Sequence, residues 1–255
     1  MLDKLTSRYT NLTFFQFGCG GVGSWLAQFM GKFLHSIAER FGVHRNFDFK
    51  YVMIDDDTVE PRNILRQNFL PINIGDYKCN AIFKLIVTPL IEKRLVFITE
   101  RIDTPKKIKY LIDKFFWEDF ENIYIIFGCV DNIKTRRSIY SAMKKIIKLD
   151  SGYETVIYID GGNQVNYGQV ITTVMTSSSW FPTIIKNWNM IDKFPNIHRL
   201  FKNGENDESA QPSCAFFGDQ SMGINLKIAT EMFTVTQRIL IDSIIPEPLV
   251  KTIIL

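Results

Sequence analysis

The chain has 255 residues, is 46% apolar and carries 30 basic against 27 acidic residues. That is enough apolar content for a sizeable buried core, and the near-balance of charge gives no basic surface of the kind nucleic-acid binding needs. The four cysteines, at positions 19, 79, 129 and 214, form no Cys-x-x-Cys pair, which excludes a structural zinc site of that type.

Along the chain, apolar strand-like runs alternate with amphipathic stretches. Residues 13–17 form a first strand that ends on the glycine-rich turn Gly18-Cys19-Gly20-Gly21-Val22-Gly23. From 22 to about 40 the apolar residues Trp25, Leu26, Phe29, Met30 and Phe33 recur every three or four positions, predicting a helix. A second strand at 49–54 ends on an acidic cluster. Helices are expected at about 77–91 and 106–117, with a short strand at 96–99 between them. Residues 123–127 are almost continuously apolar, as in a central strand buried on both faces. A helix at 133–147, a strand at 155–159, a turn at Gly161-Gly162 and a strand at 170–175 follow. Residues 176–218 are rich in Ser, Asn, Trp and Pro and are expected to form a long polar crossing loop with one short helix. A last helix is expected at about 221–242, then a tail containing Pro246 and Pro248. This alternation predicts one α/β domain over 1–255, a Rossmann-like, mostly parallel sheet with helices on both faces. The basic clusters, such as Lys106-Lys107-Ile108-Lys109 and Lys144-Lys145, read as solvated helix faces. The amino end is short and mixed in charge, unlike a secretory leader, and no apolar run reaches the roughly 20 residues of a membrane span. A cytoplasmic protein is expected.

A glycine turn between strand and helix lets backbone N–H groups approach phosphates, with favourable partial charge from the helix N-terminus. Asp55, at the end of the second strand, is placed to accept hydrogen bonds from ribose hydroxyls. Taken alone, these features suit a dinucleotide as well as ATP. The interval from Gly23 to Asp55 is 32 residues, longer than the usual value of about 20.

The following block bears on that choice. Asp55-Asp56-Asp57-Thr58-Val59-Glu60, with Asn63-Ile64-x-Arg66-Gln67, resembles the "Asp-x-Asp-x-Val … Asn-Leu-x-Arg-Gln" signature of the ThiF/MoeB/HesA superfamily, the ubiquitin-activating enzymes and their bacterial relatives. Ile74-Gly75-x-x-Lys78, Asp131-Asn132-x-x-x-Arg136, and Asp160-Gly161-Gly162 with Gly168-Gln169 resemble further blocks of that superfamily, in its order. The resemblance implies ATP-dependent adenylation of the C-terminal carboxylate of a small ubiquitin-like protein ending in glycine. It places Asp55 on the ribose, Arg66 and Lys78 on the triphosphate, and Asp131 on Mg²⁺. It also places Gly18, Gly20, Gly21, Gly23, Asp57, Asn63, Gln67 and Asn132 around the nucleotide. Fixed cations and Mg²⁺ suit a reaction that builds charge on phosphorus and on departing pyrophosphate. Asp131 also sits where a helix cap would.

Cys214, in Gln211-Pro212-Ser213-Cys214 ahead of the last helix, occupies a segment comparable to the one that carries the thioester or persulfide cysteine in many activating enzymes. A thiol near a helix N-terminus is acidified and more nucleophilic. Cys19, Cys79 and Cys129 read as packing residues. The resemblance further implies a homodimer or heterodimer and a downstream conjugating or sulfur-transfer partner, while the missing apolar span and the near-balance of charge argue against a membrane or nucleic-acid partner. Two departures stand out. The zinc pairs are absent, and Arg8-Tyr9 echoes an N-terminal "Arg-Tyr-x-Arg-Gln" motif but lies too close to the first strand to be equated with it. Other readings are adenylation of a modified tRNA adenosine or a peptide, an inactive scaffold subunit, and an NAD-dependent oxidoreductase, in which the 63–67 block has no role.

Overall fold

The computed structural model describes residues 1–42, 46–147, 153–163, 167–188 and 222–254. A short helix α1 (Leu2–Leu5) leads into β1 (Thr10–Phe17), α2 (Gly21–Phe41) and β2 (Phe47–Ile54). Then come α3 (Lys78–Ile86), β3 (Leu95–Ile98), α4 (Pro105–Asp113), β4 (Glu121–Gly128) and α5 (Ile133–Ile147). The chain ends with β5 (Glu154–Asn163), β6 (Tyr167–Thr176), α6 (Phe181–Ile184), α7 (Met222–Gln237) and β7 (Val250–Ile254). The strands form one sheet in the order β3-β2-β1-β4-β5-β6-β7. The first five are parallel, and β6 and β7 are added antiparallel.

Alternation along the strands sends side chains to two apolar layers. Leu12 and Phe14 of β1 pack with α2, α3 and α7, whereas Phe15 and Phe17 pack with α4 and α5. Both faces of the central strands are therefore covered, which is why β1 and β4 are buried along their full length. The expected α/β, mostly parallel, doubly covered sheet with a C-terminal helix is observed. Strand order reverses between β1 and β4, and there Phe17 aligns with both Ile54 and Gly128. The loops that begin at Gly18, Asp55 and Cys129 thus leave the sheet at one level, around the crevice where α/β sheets place ligands.

Several boundaries differ from expectation. β1 begins at Thr10, because Asn11 and Thr13 are buried but hydrogen-bonded, Asn11 donating to the Phe115 carbonyl at 2.6 Å. α3 stops at Ile86 rather than at about 91. Val87 is extended, and Pro89 bars helix at the residue before it. Helix α4 ends at Asp113, with Lys114 as its C-cap. Gly161-Gly162 is not a turn. It is the end of strand β5, paired with Val170 and Gln169 of β6. A side chain at 161 would meet Met232 at 2.4 Å and Ile228 at 2.8 Å, so the missing Cβ admits α7 against the sheet. The tail forms the edge strand β7, and the last helix turns into a π-helical segment at Arg238–Asp242. Of the expected crossing loop, 176–188 includes α6, and the remainder lies outside the described residues. No described helix is long and apolar enough to cross a membrane.

Candidate nucleotide site

The glycine turn takes its shape from two close approaches. Gly18 has φ +94°, and a Cβ there would lie 2.5 Å from the Cys129 carbonyl oxygen. At Gly23 a Cβ would lie 2.1 Å from the Gly18 carbonyl oxygen, so the first turn of α2 can sit directly on the strand end only without one. Gly20 is the N-cap of α2, with no side-chain cap and no acidic residue in the first turn. The opening N–H groups of this 21-residue helix are thereby offered to an external acceptor. Gly21 lies under the buried Asn225 of α7.

Asp55 fastens the turn to β2. Its Oδ2 accepts from the Cys19 N–H at 2.6 Å and its Oδ1 from the Asp57 N–H at 2.9 Å. Burial pushes this carboxyl above its usual range, while the charge of Lys78 and the two N–H donors act in the opposite sense. Lys78 extends its amine to Asp57 Oδ2 at 2.7 Å and its N–H to the Asp57 carbonyl at 2.9 Å. Asp57 thus anchors Lys78 at the rim, and the carboxylates of Asp55, Asp56 and Asp57 converge within 4.8 Å.

The segment 61–67 folds over the turn. Asn63 is buried and builds this fold. Its side chain accepts from the Glu60 N–H at 2.9 Å, and its carbonyl accepts from the N–H groups of Arg66 and Gln67. The Gln67 side chain is buried opposite Gly20, and its Oε1 has no hydrogen-bond partner among the described residues. The Arg66 carbonyl accepts from Asn225 Nδ2 at 3.0 Å, and Asn163 in turn donates to Asn225 Oδ1. Among the described residues no acidic side chain pairs with the Arg66 guanidinium.

On the β4 side, the helix cap open to Asp131 belongs to Asn132, whose Oδ1 accepts from the Thr135 N–H at 2.8 Å. Asp131 is left exposed at the rim. One supporting arrangement joins two motifs that the sequence shows only separately. Arg136 donates to Asp160 Oδ2 at 2.8 Å and to the carbonyls of Val130 and Gly161 at 2.6 and 3.1 Å. Tyr158 donates to Asp160 Oδ1 at 2.7 Å. Arg136 thus ties the start of α5 to the end of β5 and to the loop that leaves β4. The pairing of "Asp-Asn-x-x-x-Arg" with "Asp-Gly-Gly" was its only trace in the sequence.

Arg8, too close to the first strand to be equated with the N-terminal motif, lies away from the glycine turn. It pairs with Glu121 at 3.3 Å and lies over the Trp180 ring, at the start of β1 and β4, the opposite end of the sheet from the glycine turn. Cys214 lies outside the described residues. Burial raises the thiols of Cys19 and Cys129 far above their ordinary value and pushes Cys79 up to about 11, consistent with packing roles. In a Cys214→Ser variant, therefore, Cys19 and Cys79 are not expected to react with Ellman's reagent within minutes under native conditions, the half-buried Cys129 should be the first of the three to react, and all three should react in denaturant. Fast labelling of Cys19 or Cys79 in the folded protein would contradict their burial.

A profile of the ThiF family matches residues 3–239. No curated protein matches the chain in sequence. Among solved structures, the chain is similar to selenomethionine PaaA, with 16% identity and a TM-score of 0.55, covering 100% of this chain and 62% of that one. It is similar to E. coli MccB solved with succinimide, with 15% identity and a TM-score of 0.55, at the same coverage. It is also similar to E. coli MccB solved with ATP, with 15% identity and a TM-score of 0.52, covering 95% of this chain and 58% of that one. The chain thus spans less than two thirds of the length of these proteins.

Proposed function

Because this chain belongs to the ThiF family, we propose that it binds ATP in the crevice between β1 and β4 and adenylates a C-terminal carboxylate. The observation that carries this reading is the uncapped start of α2 at the sheet's reversal point, with Arg66 unmatched by a described carboxylate nearby in the fold. The residues present suit the nucleotide. The helix start and Arg66 offer positive potential to phosphates, the buried Gln67 Oε1 supplies an acceptor without a described protein partner, and Asp55 borders the site at the end of β2. Asp131, exposed and relieved of the helix cap, is the residue we assign to Mg²⁺, which when bound offsets charge on the phosphates.

The chain's own groups then have distinct tasks. The α2 N–H groups and Arg66 orient the triphosphate, and Lys78, anchored by Asp57, neutralises charge as pyrophosphate departs. The attacking carboxylate is that of a tail ending in glycine on a small ubiquitin-like protein. A second substrate reading, a peptide carboxylate, draws support from similar structures of MccB with MccA, including one with N-formylated MccA. Cys214 is the proposed acceptor for a following transfer, and adenylation does not depend on it.

ATP–pyrophosphate exchange tests this reading, run with a panel of small proteins and peptides ending in Gly-Gly and with Asp131→Ala as control. Exchange that depends on one panel member and is lost in the variant is the expected result. Binding of Mg·ATP without exchange would favour the tRNA reading or a scaffold subunit, and absence of ATP binding would end the adenylation reading.

A further inference from the structure

Gln16 is a buried amide in a strand whose neighbours are aromatic. It lies two residues beyond Phe14 and therefore on the face of β1 covered by α2. A buried amide is costly unless its hydrogen bonds are made, and here its N–H groups lead to the glycine turn and its oxygen to β2. Gln16 Nε2 donates to the carbonyl oxygens of Gly18 and Gly23, each at 3.0 Å, and Oε1 accepts from the Tyr51 hydroxyl at 2.5 Å. The amide can face only one way, because two backbone carbonyls accept and cannot donate. Tyr51 is fully buried on β2, and burial pushes its phenol well above its ordinary value, so it remains a donor.

One side chain thus grips both ends of the turn, the last carbonyl of the strand exit and a carbonyl in the first turn of α2. Asp55 holds the Cys19 N–H, and the Gly20 carbonyl holds the Ser24 N–H. Between these attachments the start of α2 carries no side-chain cap. An aliphatic residue would fill the same space beneath the turn and could make none of these bonds.

We infer that Gln16, oriented by Tyr51, is a positioning residue that holds the glycine turn in its phosphate-accepting shape before a nucleotide arrives. Preorganisation of this kind raises affinity by removing the cost of ordering the turn on binding. The nucleotide half of this inference rests on the ATP reading above, and the loop-holding half can be read in the protein without nucleotide.

Tyr51→Phe and Gln16→Met test it. The first keeps the ring, which meets Phe14 edge-on at 6.4 Å, and the second keeps length and volume without the amide. Hydrogen exchange of residues 20–23 in the nucleotide-free variants is expected to be faster than in wild type, while each variant still melts cooperatively. ATP binding should weaken about tenfold, with adenosine, which lacks phosphates, bound as before. Unchanged exchange of 20–23 in both variants would overturn the inference, as would equal weakening of ATP and adenosine, since either reveals packing alone. If one variant fails to fold, the other carries the test. If wild type does not bind ATP, the functional reading falls, and faster exchange in the variants still supports the role of Gln16.

Discussion

Replacing Arg136 with methionine is expected to destabilise the protein by about 3–5 kcal/mol near neutral pH, because it leaves a buried carboxylate without its cation. Asp160 is fully buried, and the Arg136 side chain is 12% exposed, so water cannot readily substitute for the lost partner. For a chain of this size that corresponds to a fall in melting temperature of roughly 6–20 °C. The effect should depend on pH in a definite sense. Burial already pushes the Asp160 carboxyl up, with Arg136 and then Tyr158 opposing it. Without Arg136 the folded-state value rises further. A carboxyl whose folded value exceeds its unfolded value binds its proton more tightly when folded. Its contribution is therefore most favourable below the unfolded value of about 3.9 and is lost as pH rises towards the folded value. The deficit relative to wild type should thus be smaller near pH 4 than near pH 8 (on the order of the window those values define). Adding Asp160→Asn should recover much of the loss at neutral pH, since an uncharged amide can still accept from Tyr158. Thermal melts of the two variants across pH check this. A deficit that is flat with pH, or no recovery in the double variant, would mean that the pair is not the source of the stability.

The sheet was legible because its signals are local. Apolar runs at 49–54 and 123–127 can be buried on both faces only in a covered parallel sheet, and the glycine turn marks where the first strand hands over to a helix. What escaped the sequence was decided by partners distant in the chain. The polar start of β1 lies inside the strand because Asn11 finds Phe115 and Asn122 more than 100 residues away. Gly161 reads as a turn until α7 is seen to pack on it. The edge strand β7, with Lys251, Thr252 and Ile254 exposed and two prolines before it, shows no two-residue period that would separate it from a tail. At the candidate site, motif spacing placed Asp55, Asp57, Arg66 and Asp131 on loops at one end of the sheet and Lys78 at the step into a helix. It could not reveal that Asp57 holds Lys78, that Asn132 takes the helix cap, or that Gln16 and Asn225 support the loops from below. Such supporting residues carry no spacing signature, since any side chain of suitable reach on a neighbouring element can supply the bond.

Arg66→Ala should separate chemistry from folding more cleanly than any other change at this site. The backbone of Arg66 is held at both ends, its N–H by the Asn63 carbonyl and its carbonyl by Asn225, and neither bond involves the guanidinium. The side chain is half-exposed and pairs with no acidic residue among those described. Its removal should therefore leave the melting temperature nearly unchanged. If the guanidinium stabilises the charge that develops between the α-phosphate and pyrophosphate, the rate of ATP–pyrophosphate exchange should fall about 10²–10³-fold. Arg66→Lys should restore only part of it, because an ammonium lacks the planar pair of donors that matches two phosphate oxygens. Lys78→Met provides the contrast. Its amine is committed to Asp57 in the free protein, so its loss should lower both stability and exchange, the former by releasing the segment that Asp57 and Lys78 hold together. A fall in exchange for Arg66→Ala that is matched by an equal loss of stability would place Arg66 with the structural residues. A fall without one, together with weaker binding of ATP than of adenosine, would place its guanidinium on the phosphates.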